Sequence, residues 1–130
     1  MDDFEILRST KGVGPKTAVP FLAEMGSVDN FLSYKKLIAF AGMDPSVSQS
    51  GQFVGMSRLS KRGNRHLRRA IYLMTASVVS KNAWFKAYFQ KRKAEGLPPQ
   101  KALFATAHKL IRVIFAMLSQ RTYFQVKEAI

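Results

Sequence analysis

The chain has 130 residues, which fits a single domain over 1–130 that is long enough to bury a core. A hydrophobic fraction of 47% excludes an intrinsically disordered tail. The 21 basic residues outnumber the 8 acidic ones, and the formal net charge is +13. We therefore expect a polyanionic partner, with nucleic acid first and an anionic membrane surface second. A basic surface that serves only solubility is the remaining alternative.

Three further features bear on the compartment. The absence of cysteine excludes disulfides and thiolate metal sites and suits a reducing cytoplasm. No apolar run in the sequence approaches the roughly 20 residues of a membrane span. The acidic start, Met1 to Glu5, lacks the order of a signal peptide. These features favour nucleic acid over a membrane surface, and the sequence predicts a soluble cytoplasmic protein with no membrane partner.

The first predicted elements are two short helices joined by a glycine turn. A helix over 4–9 is closed by Lys11-Gly12-Val13-Gly14, and Pro15 suits the first turn of a second helix. That helix is predicted over 16–24, and Gly26 ends it. Pro20 within it removes one helical hydrogen bond. Its expected apolar contacts are Ala18, Val19, Phe21 and Leu22.

This pair of helices, about 4–26, resembles a helix-hairpin-helix motif, which grips the DNA backbone without reading bases. Glycines let the backbone approach a ligand closely, and the start of a helix favours an anion. An ordinary glycine-rich turn between helices is the alternative. The residues expected to hold a backbone phosphate are Gly12, Gly14, Lys16 and Thr17.

The next helix is predicted over 31–40, capped by Ser27 or Asp29 and ended by Gly42. A glycine- and serine-rich loop follows over about 44–63, with a short β-hairpin over 47–54 as an added possibility. A loop of this length in a small domain is typical of a functional or disordered segment. It contains Ser48-Gln49-Ser50-Gly51, which taken alone indicates only turn chemistry.

A helical core is predicted over about 64–120. Asn64 caps its first helix, and one face of that helix carries apolar residues at helical spacing. An aromatic helix ending at Gly96 follows, then Pro98-Pro99 and a long final helix. The aromatic residues are expected in the core or at an oligomer contact, with base stacking as the alternative. The apolar face is Leu67, Ala70, Ile71, Met74 and Val78; the aromatic residues are Trp84, Phe85, Tyr88 and Phe89.

The positive charge is concentrated in one part of the chain. From Pro45 through Ala94 there is no acidic side chain. A charge run is usually a solvated face, but here no acid pairs with the cations, so we expect them to bind DNA or RNA. His66 can touch a phosphate, whereas His108 is expected in the core or at its edge. The basic-run residues expected to bind nucleic acid are Arg58, Lys61, Arg62, Asn64, Arg65, Arg68 and Arg69.

Several strings occur in order over about 7–118, each weak alone. Together they resemble the C-terminal transposase domain of the IS110/IS116 insertion-sequence family. The strings are Gly12-Val13-Gly14-Pro15-Lys16-Thr17-Ala18, Phe40-Ala41-Gly42-Met43-Asp44-Pro45, Gln49-Ser50-Gly51, Ser60-Lys61-Arg62-Gly63-Asn64 and Leu67-Arg68-Arg69-Ala70.

The resemblance implies properties that composition cannot give. In such transposases an N-terminal RuvC-like domain carries four acidic residues that bind magnesium. The C-terminal domain supplies a serine that becomes covalently joined to DNA, and the Gln-Ser-Gly string aligns that serine with Ser50. A structured guide RNA specifies donor and target DNA, and the protein assembles as a homo-oligomer, either a dimer or a tetramer. The expected compartment is the bacterial cytoplasm.

The sequence therefore predicts a mainly α domain in which Ser50 attacks a DNA phosphodiester during transposition. Ser46 and Ser48 are the fallback nucleophiles. A non-catalytic helix-hairpin-helix module that binds DNA or RNA is the alternative. The RuvC-like domain is absent from this sequence, and its carboxylates show no compact set of metal ligands. We expect no cofactor in this domain, and no independent catalysis from an excised or truncated chain.

Overall fold

Residues 2–44 and 64–125, the parts of the chain that the computed structural model describes, contain six α-helices and one 3-10 helix and no strand. The mainly α prediction is confirmed. The predicted hairpin and all of the serine loop after Asp44 lie outside the described residues. The elements are α1 (Asp3–Arg8), α2 (Pro15–Met25), the 3-10 helix (Val28–Asn30), α3 (Tyr34–Phe40), α4 (Arg65–Lys81), α5 (Ala83–Ala94) and α6 (Pro99–Gln120).

The first two helices have the predicted boundaries to within one or two residues. Asp2 caps α1 by accepting a hydrogen bond from the Glu5 backbone N–H, and Pro15 opens α2. Gly26 ends α2 with a φ of 77°, which favours glycine. The predicted contacts are wrong in one place. Ala18 and Phe21 are fully buried, but Val19 is 54% exposed because it lies on the outer face of the helix.

The third helix begins later than predicted. Of the two predicted caps, Ser27 and Asp29, the structure has Ser27. It caps the 3-10 helix, because its hydroxyl accepts a hydrogen bond from the Asp29 N–H. Phe31 then takes an extended conformation, with φ −124° and ψ 135°. The α-helix therefore starts at Tyr34. It ends at Phe40, as predicted.

Helix α4 runs through the centre of the core. Asn64 caps it through a 2.9 Å bond from the Leu67 N–H, and all five predicted apolar residues of its inner face are buried. Helix α2 packs along it in the opposite direction. The turn before α2 contacts Val78 near the end of α4, and Glu24 near the end of α2 contacts Asn64 at its start.

The last two helices close the core. Asn82 ends α4 and caps α5 by accepting from the Trp84 and Phe85 N–H groups at 3.0 and 3.4 Å. Phe85 is fully buried and Trp84 packs against the core, so the core prediction is confirmed for these two aromatic residues. Pro99 opens α6, which contributes buried residues along its length, among them Leu110, Ile111 and Ile114.

One composition-based expectation needs correction. By length and composition α6 could cross a membrane, with a mean hydropathy of 1.5 over its best window. The expectation that no apolar segment reaches that length is therefore wrong for this helix. However, 44% of the window is buried against the rest of the fold, and a core helix passes the same test. The finding is weak evidence for a span.

Candidate nucleic-acid interface

The turn between α1 and α2 is fixed by its carbonyl groups. The Ser77 hydroxyl donates to the Gly12 carbonyl oxygen at 2.6 Å, and Asn82 Nδ2 donates to the Lys11 carbonyl oxygen at 3.0 Å. Both donors belong to the end of α4 and the residue that follows it. The carbonyl oxygens of Lys11 and Gly12 therefore point towards α4 and away from solvent.

The two glycines of this turn have different structural roles. Gly12 has a φ of 103°, and a Cβ there would lie 2.8 Å from the Val78 Cα. Glycine is required at that position for both conformation and space. Gly14 has a φ of −113°, and a Cβ there would meet no atom within 4 Å. The fold does not require glycine at position 14, which leaves open space where a ligand could approach.

The start of α2 offers amide groups to such a ligand. The Thr17 and Ala18 N–H groups donate to the Gly14 carbonyl oxygen at 3.2 and 2.9 Å. The N–H groups of Gly14 and Lys16 find no acceptor among residues 2–44 and 64–125. The Lys16 side chain is exposed and can reach a ligand. The Thr17 hydroxyl instead donates a hydrogen bond to the Gly14 carbonyl oxygen at 3.3 Å. Free amides, a nearby cation and the helix dipole together suit an anion.

The start of α4 forms a second cluster around Asn64. Its Nδ2 donates to Glu24 Oε1 at 3.0 Å, and its backbone N–H donates to the Phe40 carbonyl oxygen at 2.8 Å. Asn64 therefore ties together the ends of α2 and α3 and the start of α4. Its predicted role as a helix cap is confirmed, and its side-chain polar atoms have protein partners.

The three arginines of α4 are not equivalent, although the sequence analysis grouped them. Arg65 and Arg69 are exposed. Arg68 is half-buried, and its Nη1 donates to the Ala41 carbonyl oxygen at 3.2 Å. It also faces Tyr72, whose pKa is raised by burial and lowered to a smaller extent by the Arg68 charge. Arg68 therefore serves the fold as well as the surface charge, while Arg65 and Arg69 are available to a ligand. His66 is exposed beside them.

The structure places the predicted residues in two groups rather than in one pocket. The glycine turn lies at Val78, near the end of α4, and the arginines lie at its start. Thirteen residues separate Arg65 from Val78, and at 1.5 Å per residue the separation is about 20 Å. A ligand that touches both groups must be elongated.

The remaining predicted residues, Ser50, Arg58, Lys61 and Arg62, lie outside the described part of the chain. Asp44 and Asn64 are the described residues on either side of their segment. The bond from the Asn64 N–H to the Phe40 carbonyl keeps the start of α4 against the end of α3. Asn64, the first described residue after the segment, therefore lies against the end of α3 and directly precedes the α4 arginines.

Sequence reasoning missed a cavity of about 460 Å³ between α3, α5 and α6. Two tyrosines and three cations contribute to its walls. A signal was present, because positions 105, 108, 109 and 112 follow the i, i+3, i+4, i+7 spacing of one helix face. The residues of interest are Tyr34, Lys35, Tyr88, His108, Lys109 and Arg112.

His108 anchors this wall. Its Nε2 lies 2.7 Å from the Met43 carbonyl oxygen and its Nδ1 lies 2.9 Å from the Phe104 carbonyl oxygen. The expected position at the edge of the core is confirmed. The contact with Met43 joins α6 to the segment that follows α3.

These features define a helical, strongly basic domain with two cationic regions on its surface. The sequence model of the transposase IS116/IS110/IS902 family matches residues 4–90. The chain belongs to this family.

Individual relatives agree. The chain is 30% identical over 120 residues to an IS110 insertion-element protein of Streptomyces coelicolor, covering 92% of the chain and 30% of that protein. It is 30% identical over 131 residues to the transposase for insertion sequence element IS1111A of Coxiella burnetii, covering 94% of the chain and 35% of that protein. It is 28% identical over 122 residues to the pilin gene-inverting protein of Moraxella bovis, covering 92% of the chain and 38% of that protein. The chain spans about a third of the length of these relatives.

Proposed function

We propose that this chain is the DNA-binding, nucleophile-bearing domain of a transposase, in which Ser50 attacks a DNA phosphodiester during transposition. The observation that carries the proposal is the family match over residues 4–90. It covers the glycine turn, the Ser50 segment and all of α4. The assignment of Ser50 itself rests on the Gln49-Ser50-Gly51 string.

The proposed reaction is a phosphoryl transfer to a serine hydroxyl. A bond forms between Ser50 Oγ and phosphorus while the bond from phosphorus to one DNA oxygen breaks, and the hydroxyl proton ends on the leaving oxygen. Guanidinium groups would stabilise the additional negative charge at phosphorus. In residues 2–44 and 64–125 no three histidine or carboxylate side chains come together in a way that could hold a metal ion. The magnesium that the family resemblance implies has no fitting site there, and we derive no step through it.

The two cationic regions would hold the DNA backbone. Each nucleotide of one B-DNA strand advances about 3.4 Å along the helix axis, so a separation of about 20 Å measured along that axis corresponds to roughly six nucleotides. The Gly14 and Lys16 amides would take one phosphate, and Arg65 and Arg69 would take others. Contacts of this kind fix position and orientation but carry no sequence information. A guide RNA and assembly into dimers or tetramers belong to the proposal through the family resemblance.

The nucleophile is tested with the variant Ser50→Ala in a full-length transposase that contains this domain. Strand exchange should be lost while DNA binding persists, because the substitution removes only the attacking oxygen. Ser46→Ala and Ser48→Ala are the matched controls, each removing a neighbouring hydroxyl. Strand exchange retained in Ser50→Ala would assign the nucleophile elsewhere.

A second candidate, a non-catalytic module that binds DNA or RNA, is favoured by the unpartnered amides at the start of α2. Both candidates predict binding that weakens steeply with salt. They differ in covalent chemistry. A protein–DNA adduct that forms with the wild type and is absent in Ser50→Ala supports the transposase domain, and its absence from the wild type favours the binding module.

A further inference from the structure

The cavity between α3, α5 and α6 combines cations with aromatic rings. Lys109 Nζ lies 5.5 Å from the ring centre of Trp84 and 5.9 Å from that of Tyr88. Across the cavity, Arg112 Cζ lies 5.7 Å from the ring centre of Tyr34. Lys35 on α3 adds a third cation. Cations held at this distance from ring faces are attracted by them, so these side chains have a preferred place at the cavity wall.

The size of the cavity restricts its ligand. A volume of about 460 Å³ lies within the range of pockets that bind a small organic molecule and is more than an isolated phosphate needs. The walls also supply two kinds of contact. Tyrosine rings and the flat guanidinium of Arg112 offer stacking surfaces, and the lysines offer charge. A ligand that uses both carries a flat aromatic ring and a negative charge, and in a nucleic acid these are a base and a phosphate.

The cavity lies beside residues 41–44, which precede the Ser50 segment in the chain. Asp44 lines the cavity, and the adjacent Met43 is held by His108. The same stretch bears Ala41, whose carbonyl accepts from Arg68. Residues 41–44 therefore lie between the basic start of α4 and the cavity. A strand bound by the α4 arginines would reach this cavity past residues 41–44.

We propose that this cavity binds one unpaired nucleotide of a nucleic-acid strand, with the base against Tyr34, Tyr88 and the Arg112 guanidinium and the phosphate on Lys35 and Lys109. The inference rests on the proposed function, because it takes nucleic acid as the partner. It adds a site for a base that has left the double helix, whereas the contacts proposed for the glycine turn and the α4 arginines are with the backbone. An enzyme that rearranges strands exposes such bases when it opens a duplex.

The chain offers an internal probe, because Trp84 is its only tryptophan and lies against Lys109. A nucleotide that draws Lys109 away from the indole should change Trp84 fluorescence. The purified chain is titrated with a nucleoside monophosphate, with inorganic phosphate, with a short single-stranded oligonucleotide and with the matching duplex. The nucleoside monophosphate should act at lower concentration than inorganic phosphate. Equal responses to the two would overturn a site for a base.

Variants locate the effect. Arg112→Gln and Tyr88→Leu should each weaken single-strand binding by about tenfold, the size expected for loss of one stacking partner. Their duplex binding should change no more than that of Lys101→Gln, which removes an exposed charge from the same helix outside the cavity. Circular dichroism checks that each variant is folded, and Arg112 is exposed enough that its replacement leaves the core intact.

Three other outcomes would contradict the cavity proposal, the proposed function or both. Equal weakening by Lys101→Gln and Arg112→Gln means that only net charge matters, and the cavity proposal fails. Duplex binding that depends on Arg65 and Arg69, with single-strand binding indifferent to Tyr88 and Arg112, overturns the cavity and leaves the proposed function standing. A wild-type chain that binds neither form of DNA at low salt overturns both.

Discussion

The glycine turn gives a prediction that separates a fold requirement from a ligand requirement. Gly12→Ala should destabilise the protein, because the new methyl group would lie 2.8 Å from the Val78 Cα, in a residue with a φ of 103°. The contact is with backbone, so no side-chain rotation relieves it. Either the turn or the end of α4 has to move.

The expected loss can be assembled from two terms. A non-glycine residue in such a conformation costs about 1–3 kcal/mol. Forcing a methyl group into a packed site costs about 1–3 kcal/mol more. The sum, about 2–6 kcal/mol, is a large part of the about 5–15 kcal/mol that stabilises a typical domain. A loss of about 3 kcal/mol would lower the Tm by roughly 10 °C in a domain of this size.

Gly14→Ser is the matched control. Its φ of −113° suits serine as a helix cap, and nothing lies within 4 Å of the new Cβ, so the stability should stay equal or rise slightly. Urea unfolding followed by circular dichroism and Trp84 fluorescence measures both variants. If a phosphate approaches this turn, Gly14→Ser should weaken DNA binding without unfolding the protein. Equal unfolding midpoints for Gly12→Ala and the wild type would refute the packing argument.

Two other predictions follow from the same contacts. Asn82→Ala should lower the free energy of unfolding in urea by about 2–4 kcal/mol, because it removes the cap of α5 and leaves the Lys11 carbonyl without its donor. The control Asn30→Ala replaces an exposed asparagine and should lower it by at most about 0.5 kcal/mol. A small loss for Asn82→Ala would contradict its role in holding the turn. Arg65→Gln and Arg69→Gln should each reduce the slope of log affinity for DNA against log salt by about 1 without changing stability, and an unchanged slope would remove that arginine from the interface.

The sequence was informative wherever local chemistry determines local structure. The buried face of α4 follows from helical spacing alone, and the ends of α1, α2 and α3 follow from glycine and proline. The start of α3 could not be found this way. Ser27 can cap any helix that follows it, and nothing local in the sequence shows that this helix is a three-residue 3-10 turn with a buried Val28. Val19 was misplaced because the sequence does not say which apolar residue of a short helix faces the core.

The candidate interface was predicted in its parts but not in its arrangement. Gly12 and Gly14 look alike in the sequence, and only the position of Val78 separates a packing glycine from one that the fold does not need. Arg68 and Arg69 are likewise adjacent, and only the placement of Ala41 gives one of them a backbone partner. The cavity was missed because it unites side chains from three helices far apart in sequence. The helical spacing of positions 105, 108, 109 and 112 marks its α6 wall, but no local pattern shows that Tyr34, Lys35 and Tyr88 complete it.

The antiparallel packing of α2 and α4 has a consequence for how DNA could be held. The turn is fixed at the end of α4 by Ser77 and Asn82, and Asn64 ties the start of α4 to the end of α2. The two cationic regions therefore cannot change their separation of about 20 Å without breaking buried contacts of the core. A backbone bound at both regions would be held in a fixed position, and backbone contacts do not read bases. If the proposed function is right, the choice of DNA sequence must come from a base contact elsewhere, from a site such as the aromatic cavity, or from a second nucleic acid.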